Sequence, residues 1–307
     1  MHDIEVANRM VYQDLQDKLT EKLSAGKIGK FISNFADFDS TFFQVVCEDR
    51  QNIIVSLQLS YWEILKNEAN IVDYLDNIYS DCTGVSRLPE ARVESDMTYN
   101  ISLSINIEQL ASASEEDQQK TITEVSKLRR NCFAAAFSPH FEAHKARNQT
   151  TEPMVIPFRD QETMFIKAKA DHVVVIFSTT FKDKTDQVLA KEFLSAFADA
   201  KVSRGLNPPN CILSKDPPRE IKEHEQALIG DHVYYITFVL QNAHIEQTNK
   251  ADNTIDLIHT FRTYLHYHIK CSKAYIHARM RKKTSEFEQI LNRAKPEKQT
   301  KVLKKYG

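Results

Sequence analysis

The residue types able to do chemistry are plentiful in this 307-residue chain, and their spacing is the first thing to weigh. Eleven histidines and five cysteines suggest a metal centre until the positions are read. In His266-x-His268-x-x-Cys271, residues two apart on a helix point about 200° from one another, so only His268 and Cys271 share a face, and two ligands do not make a zinc site. His140-Phe-Glu-Ala-His144 has the paired histidines of a zinc protease, but its acid stands at 142 instead of 141, and Pro139 interrupts the helix just before it. The carboxylates Asp37 with Asp39, and Asp160 with Glu162, alternate as a catalytic pair would. They occur twice in the same setting, which favours hydrogen bonding at turns and sheet edges over catalysis. Six scattered glycines build neither G-x-x-x-x-G-K-[ST] nor G-x-G-x-x-G, and G-x-S-x-G is absent, so nucleotide-phosphate and serine-hydrolase chemistry have no cradle here. The expectation is a protein that is not an enzyme and holds no cofactor or metal.

The elements that position these residues come in two sets. Phe35 to Phe42 (FADFDSTF) recurs as Phe158 to Phe165 (FRDQETMF), sharing F-x-D-x-[DE]-[ST]-x-F at an offset of 123. After it, Ile53 to Tyr61 matches Val173 to Phe181 as a strand of β-branched and aromatic residues. An amphipathic helix follows in each copy (62–79 and 188–202), then a further strand, Tyr99 to Ile107 and Val233 to Leu240, then a closing helix over about 115–145 and about 253–293. The loops Asp81 to Asp96 and Asn207 to Pro218 are equivalent excursions before the last strand of each copy, and a leading helix spans about Ile4 to Leu23. The fold class is therefore α+β: two tandem modules, 1–147 and 148–307, each a small antiparallel sheet with flanking helices, ending in one long C-terminal helix and a frayed basic tail after Pro296. The polar, proline-terminated segment ARNQTTEP (146–153) marks the boundary.

Composition bounds the setting. Apolar residues at 42% and charged residues at 27% are those of a globular chain. Apolar runs such as Val173 to Phe177 are far shorter than the roughly twenty residues of a membrane span, and MHDIEVANRM has no cationic-then-apolar signal pattern. The five cysteines, without C-x-x-C, read as reduced thiols in a cytoplasmic protein. The net charge of −2 is a sum of opposites: residues 255–307 hold thirteen Lys or Arg against four Asp or Glu, whereas the rest holds 27 against 38. A basic end on an acidic body points to partners.

That basic end is the most regular part of the chain. Ile258, Ile269, Met280 and Leu291 stand eleven apart, and Leu265, Ile276 and Phe287 form a second such series on the same face. Eleven residues in three turns keep a stripe on one side of a nearly straight helix. A second row, Leu257, Phe261, Tyr264, His268, Cys271 and Tyr275, lies about 100° away along the first half only. One row packs on its own sheet and the other meets a partner helix, or both rows pack between the two copies. Arg279, Arg281, Lys282, Lys283 and Arg293 make the far end cationic, and Arg129 and Arg130 in the first closing helix read either as solvated helix surface or as a second docking point for a polyanion.

LIHTFRTYLHYHIKCSKAYIHARMRKKTSEFEQILNRAKP (257–296) closely resembles the closing helix of the p34-Arc family, subunit 2 of the actin-related protein 2/3 complex. FADFDSTFF, KLRRNCFAAAF (127–137), FRDQETMF, VVVIFSTTFKD and GDHVYYITFVL agree in order, so the resemblance covers nearly the whole chain, departing in the 81–96 loop and after Pro296. The resemblance implies two tandem α/β modules whose final helix pairs antiparallel with the related helix of subunit 4. It also implies a scaffold that holds the two actin-related subunits and contacts the side of the mother filament, in the actin-rich cortex and protrusions of the cytoplasm. With it, Leu257, Phe261, Tyr264, Leu265, His268, Ile269, Tyr275 and Ile276 become the expected partner-helix interface. Arg129, Arg130, Arg279, Arg281, Lys282, Lys283 and Arg293 become the expected filament contacts, by charge complementarity. A phospholipid-surface or nucleic-acid adaptor using the same cations is the alternative; no nucleic acid is expected under the leading reading.

Overall fold

The computed structural model describes residues 6–294 apart from 38–39, 95–96, 151, 160–161, 182 and 204–208. Ile4, Asp39, Asp160 and the basic tail after Pro296 therefore lie outside the described residues.

The chain enters through α1 (Arg9–Ala25), which starts later than its apolar spacing predicts because Asn8 caps it: the Asn8 side-chain oxygen accepts from the Met10 and Val11 amides at 3.0 and 3.1 Å. It ends at Gly26, whose φ of 71° supplies the left-handed residue that closes the last turn. A meander follows, β1 (Phe31–Asp37), β2 (Thr41–Cys47) and β3 (Asn52–Gln58). The single helix expected over 62–79 is two, α2 (Trp62–Glu68) and α3 (Ile71–Tyr79), because Asn70 adopts φ 46° and turns the chain between them. Then come β4 (Val85–Arg87), the small hairpin β5 (Arg92–Glu94) and β6 (Met97–Tyr99), and β7 (Ile101–Asn106).

The long closing helix expected over 115–145 is also divided. In its place stand α4 (Ile107–Ser112), α5 (Glu115–Ser126), α6 (Leu128–Ala135) and α7 (Ser138–Lys145). Two breaks explain it. Lys127 leaves helical geometry with ψ near 10°, and Pro139 is accommodated only in the first turn of a new helix. The division matters because α6 is buried at every position, which one face of a straight amphipathic helix cannot be.

The second half repeats the first. Its strands are β8 (Met154–Arg159), β9 (Glu162–Ala168) and β10 (Val173–Thr180); α8 (Lys184–Ser203) leads to β11 (Asn210–Ser214) and β12 (Val233–Leu240), and α9 (Asn242–Ile245) and α10 (Thr248–Arg293) close the chain. The two five-stranded sheets have orders β1-β2-β3-β7-β4 and β8-β9-β10-β12-β11, every pair antiparallel. A three-strand meander, a helical crossover, an edge strand and a last strand inserted beside the meander recur in the same order. The sequence repeat falls on the β1–β2 and β8–β9 hairpins, and the two excursions supply the matching edge strands β4 and β11.

The inner faces of both sheets share one core, joining Val45, Leu57 and Phe137 from the first half to Met164, Phe177, Phe238 and Ile258 from the second. The outer faces differ. The β5–β6 hairpin lies on the first, where Ser56 and Ser102 are buried and hydrogen-bonded at 2.8 Å. On the second, the segment before β12 lays Ile221 against Phe165, Ile176 and Tyr235.

Candidate docking surface: the C-terminal helix and its moorings

The closing helix α10 runs 46 residues without a break, about 70 Å at 1.5 Å per residue. Its first half is held by charged clamps. Arg262, which is 8% exposed, pairs with Glu162 at the start of β9, and Thr179 donates a hydrogen bond to the same carboxylate at 2.9 Å. The first half of the chain has its counterpart: Arg129 on α6 lies 3.3 Å from Asp37 at the end of β1, where Asn8 also donates at 2.9 Å. The likeness extends around the arginines. Ile122, Val125, Leu128 and Arg129 stand 133 residues before Ile255, Ile258, Phe261 and Arg262, and all eight are buried. The duplication thus carries an arginine in each closing helix that reaches back to a carboxylate in its own first hairpin. The sequence signal is this second offset, 133 in the helices against 123 in the hairpins. Asp37 and Glu162 are structural, but as ion-pair partners of the closing-helix arginines instead of the turn and sheet-edge hydrogen-bonding groups expected; their companions Asp39 and Asp160 lie outside the described residues.

A third clamp joins the halves. Arg130 donates from Nε to Asp256 at 2.5 Å and from Nη2 to Asp252 at 2.8 Å, tying α6 to α10. His259 sits over Phe133 with ring centroids 5.1 Å apart; burial first, then the charges of Arg129 and Arg130, hold its pKa well below the ordinary value, so it is a neutral ring in this junction. The last mooring is Lys273, whose ammonium lies 2.8 Å from both Asp183 and Asp186 at the start of α8.

These placements revise both expected sets. Of the partner-helix residues, Phe261, Leu265 and Ile269 are buried within the chain itself. The Phe261 ring is 4.7 Å from Phe238 and 6.2 Å from Phe193, since α8 packs on the second row that sequence spacing left for a partner. Leu257, Tyr264 and His268 are half-buried, His268 against Phe193 at 5.1 Å; Tyr275 and Ile276 are exposed. Of the filament cations, Arg129 and Arg130 are buried and ion-paired inside the molecule, so they are not surface charges, whereas Arg279, Arg281, Lys282, Lys283 and Arg293 are exposed.

Beyond Tyr275 the first row continues alone and uncovered. Ile276, Met280, Phe287, Ile290 and Leu291 are 40 to 61% exposed on about 22 Å of helix, and from Ala274 to Ala294 every residue except the half-buried Glu286 is exposed. This is the same side of α10 that carries Ile258, Leu265 and Ile269 into the core, so the bare stripe prolongs the molecule's own packing face past its end. The uncovered apolar face is therefore the far end of the first row, which includes Met280, Phe287, Ile290 and Leu291 beyond the residues expected from the sequence.

The other chemistry-bearing residues are engaged elsewhere. Both ring nitrogens of His144 are in hydrogen-bonding contact, at 3.1 Å with the Lys169 carbonyl and 2.5 Å with Asn242, and His140 is buried, its pKa pushed down to about 4 by burial. Among the described residues no three His, Cys, Asp or Glu gather where a metal ion could sit, and no helix is long and apolar enough to cross a membrane. Cys47, Cys82 and Cys132 are buried; burial raises the Cys82 thiol to about 11, which keeps it protonated and unreactive.

Comparison with known proteins finds close relatives over nearly the whole chain. The family model described as "Arp2/3 complex, 34 kD subunit p34-Arc" matches residues 55–298. The protein named actin-related protein 2/3 complex subunit 2 in Schizosaccharomyces pombe is 34% identical over 303 residues, covering 92% of each chain. Its namesake in Dictyostelium discoideum is 35% identical over 297 residues, covering 96% of this chain and 93% of that one.

Proposed function

The chain belongs to the p34-Arc family, the 34 kD subunit of the Arp2/3 complex, and on that premise we propose that it is a non-enzymatic scaffold subunit of such a complex. Its place is the cytoplasmic actin cytoskeleton, in the cortex and protrusions where branched filaments grow. The observation that carries the reading is the bare end of α10: an apolar stripe on a rod clamped to its body at Arg130, Arg262 and Lys273. A rigid, half-apolar helix that outruns its own core is a surface for another helix. In this reading the helix is that of subunit 4, lying antiparallel. The two subunits together support the actin-related subunits, and the exposed cations of the rod, Arg279, Arg281, Lys282 and Arg293, face the acidic side of the mother filament.

Two substitutions test the docking face. Met280→Asp and Phe287→Asp, made in the full-length chain co-expressed with the other subunits, are expected to reduce its recovery in the purified complex at least tenfold. Both positions are solvent-exposed, so the chain itself stays folded. Undiminished recovery would remove the docking assignment. For the filament contact, reversal of Arg279, Arg281 and Lys282 to Glu is expected to weaken co-sedimentation of the assembled complex with actin filaments and to flatten its salt dependence. Unchanged, salt-sensitive co-sedimentation would move the contact elsewhere.

A further inference from the structure

The exposed half of α10 carries a pattern finer than a stripe. Stepping alternately four and three residues from Ile276 gives Met280, Lys283, Phe287 and Ile290, the seam of a two-helix coiled coil. Every position is apolar but one. Lys283 stands in the middle of the seam, its ammonium 3.1 Å from Glu286, which lies about 60° round on the flank. Its neighbour Thr284 is prepared for cover, with its hydroxyl donating to the Met280 carbonyl at 3.0 Å. The charges are also segregated along the rod: Arg279, Arg281, Lys282 and Lys283 come first, then Glu286 and Glu288. Arg279 is fixed on the flank by Tyr275, to whose hydroxyl it donates at 2.8 Å.

We propose that the helix covering this seam presents a carboxylate opposite Lys283, within an otherwise apolar row and with further acids facing 279–283, and that this ion pair sets the register of the two helices. The proposal rests on the docking reading of the exposed rod. A covered seam strips water from Lys283, and an apolar residue opposite would leave an ammonium with one flank partner in a dry contact, which disfavours any such pairing. A slip by one heptad produces that mismatch and sets Glu286 and Glu288 against the partner's acids as well. The pair thus adds little affinity but discriminates among registers and partners, the use to which single polar seam residues are best suited. Lys283 then belongs to the partner helix instead of the filament.

The test uses the full-length chain co-expressed with the other subunits, with its retention in the purified complex followed over a KCl titration. Lys283→Glu is expected to lower apparent affinity at least tenfold by facing carboxylate with carboxylate. Lys283→Leu, which strands the facing carboxylate in the dry seam, is expected to lower apparent affinity as well, by less than Lys283→Glu, and to show a weaker dependence on salt. If Lys283→Glu assembles normally, or Lys283→Leu keeps the full salt dependence, no carboxylate faces this position and the proposal is overturned. Phe287→Asp separates the two ideas: loss of assembly there alongside normal assembly of Lys283→Glu refutes the ion pair and leaves the docking face standing, whereas normal assembly of Phe287→Asp refutes both.

Discussion

Arg262 and Arg130 both carry a guanidinium into a buried carboxylate contact, yet their removal should differ in cost. What decides it is the group left behind. Glu162 is about as buried as Arg262, at 10% side-chain exposure, so Arg262→Ala strands a carboxylate that, among the described residues, Thr179 and, at 3.8 Å, His266 are left to face. A buried charge that loses its partner costs about 3–5 kcal/mol. The carboxylates abandoned by Arg130→Ala, Asp252 and Asp256, are 48% and 33% exposed and can turn to water, so the loss there is nearer the about 1.5–3 kcal/mol of charged hydrogen bonds. Urea unfolding midpoints of the two variants check this: Arg262→Ala should fall well below Arg130→Ala, and equal midpoints would refute the role of solvent access. The sequence shows each arginine as a cation and nothing more. Surface and core arginines look alike in composition, and only the 133-residue offset linking Arg129 to Arg262 marks these two as parts of one repeated structural device.

At the scale of elements, what was legible followed periodicity. Runs of β-branched and aromatic residues marked β3, β7, β10 and β12, and the recurrence of FADFDSTF as FRDQETMF located both first hairpins, because residue types that suit a strand recur with it when the strand is duplicated. The breaks were less visible. Asn70 ends α2 through a backbone angle, φ 46°, that asparagine tolerates without requiring it, so the apolar spacing across it still reads as one helix. Pro139 was in plain view, but Lys127 has no residue-type signature for leaving helical geometry; it lies between α5, buried on one side, and α6, buried all round. The same limit governs the docking site. Spacing showed that α10 has two apolar rows and that one outlasts the other, but which row is covered depends on where α8 lies, and Phe193 meeting Phe261 and His268 is a long-range packing fact that periodicity cannot contain.

The whole molecule divides into a body that completes its own core and a rod that does not. Up to Ile269 the apolar face of α10 is enclosed, with Lys273 as its last tie, and from Ala274 to Ala294 no side chain is buried. Stability on one side of that point and association on the other should therefore separate. A chain ending after Lys273 is expected to unfold at a temperature within about 2 °C of the full chain, since the described part of the removed segment contributes almost no buried apolar area and burial is what stabilises a core. The same truncation should abolish recovery in the complex. The isolated full chain carries the opposite liability: six exposed side chains, Tyr275, Ile276, Met280, Phe287, Ile290 and Leu291, on one rod form a patch that monomeric proteins avoid. Light scattering of the two purified chains at matched concentration checks both points, with self-association expected for the full chain and a monomer for the truncated one. A large fall in melting temperature on truncation would mean that the rod folds back to support the body, and a monomeric full chain would mean that its stripe is already covered from within.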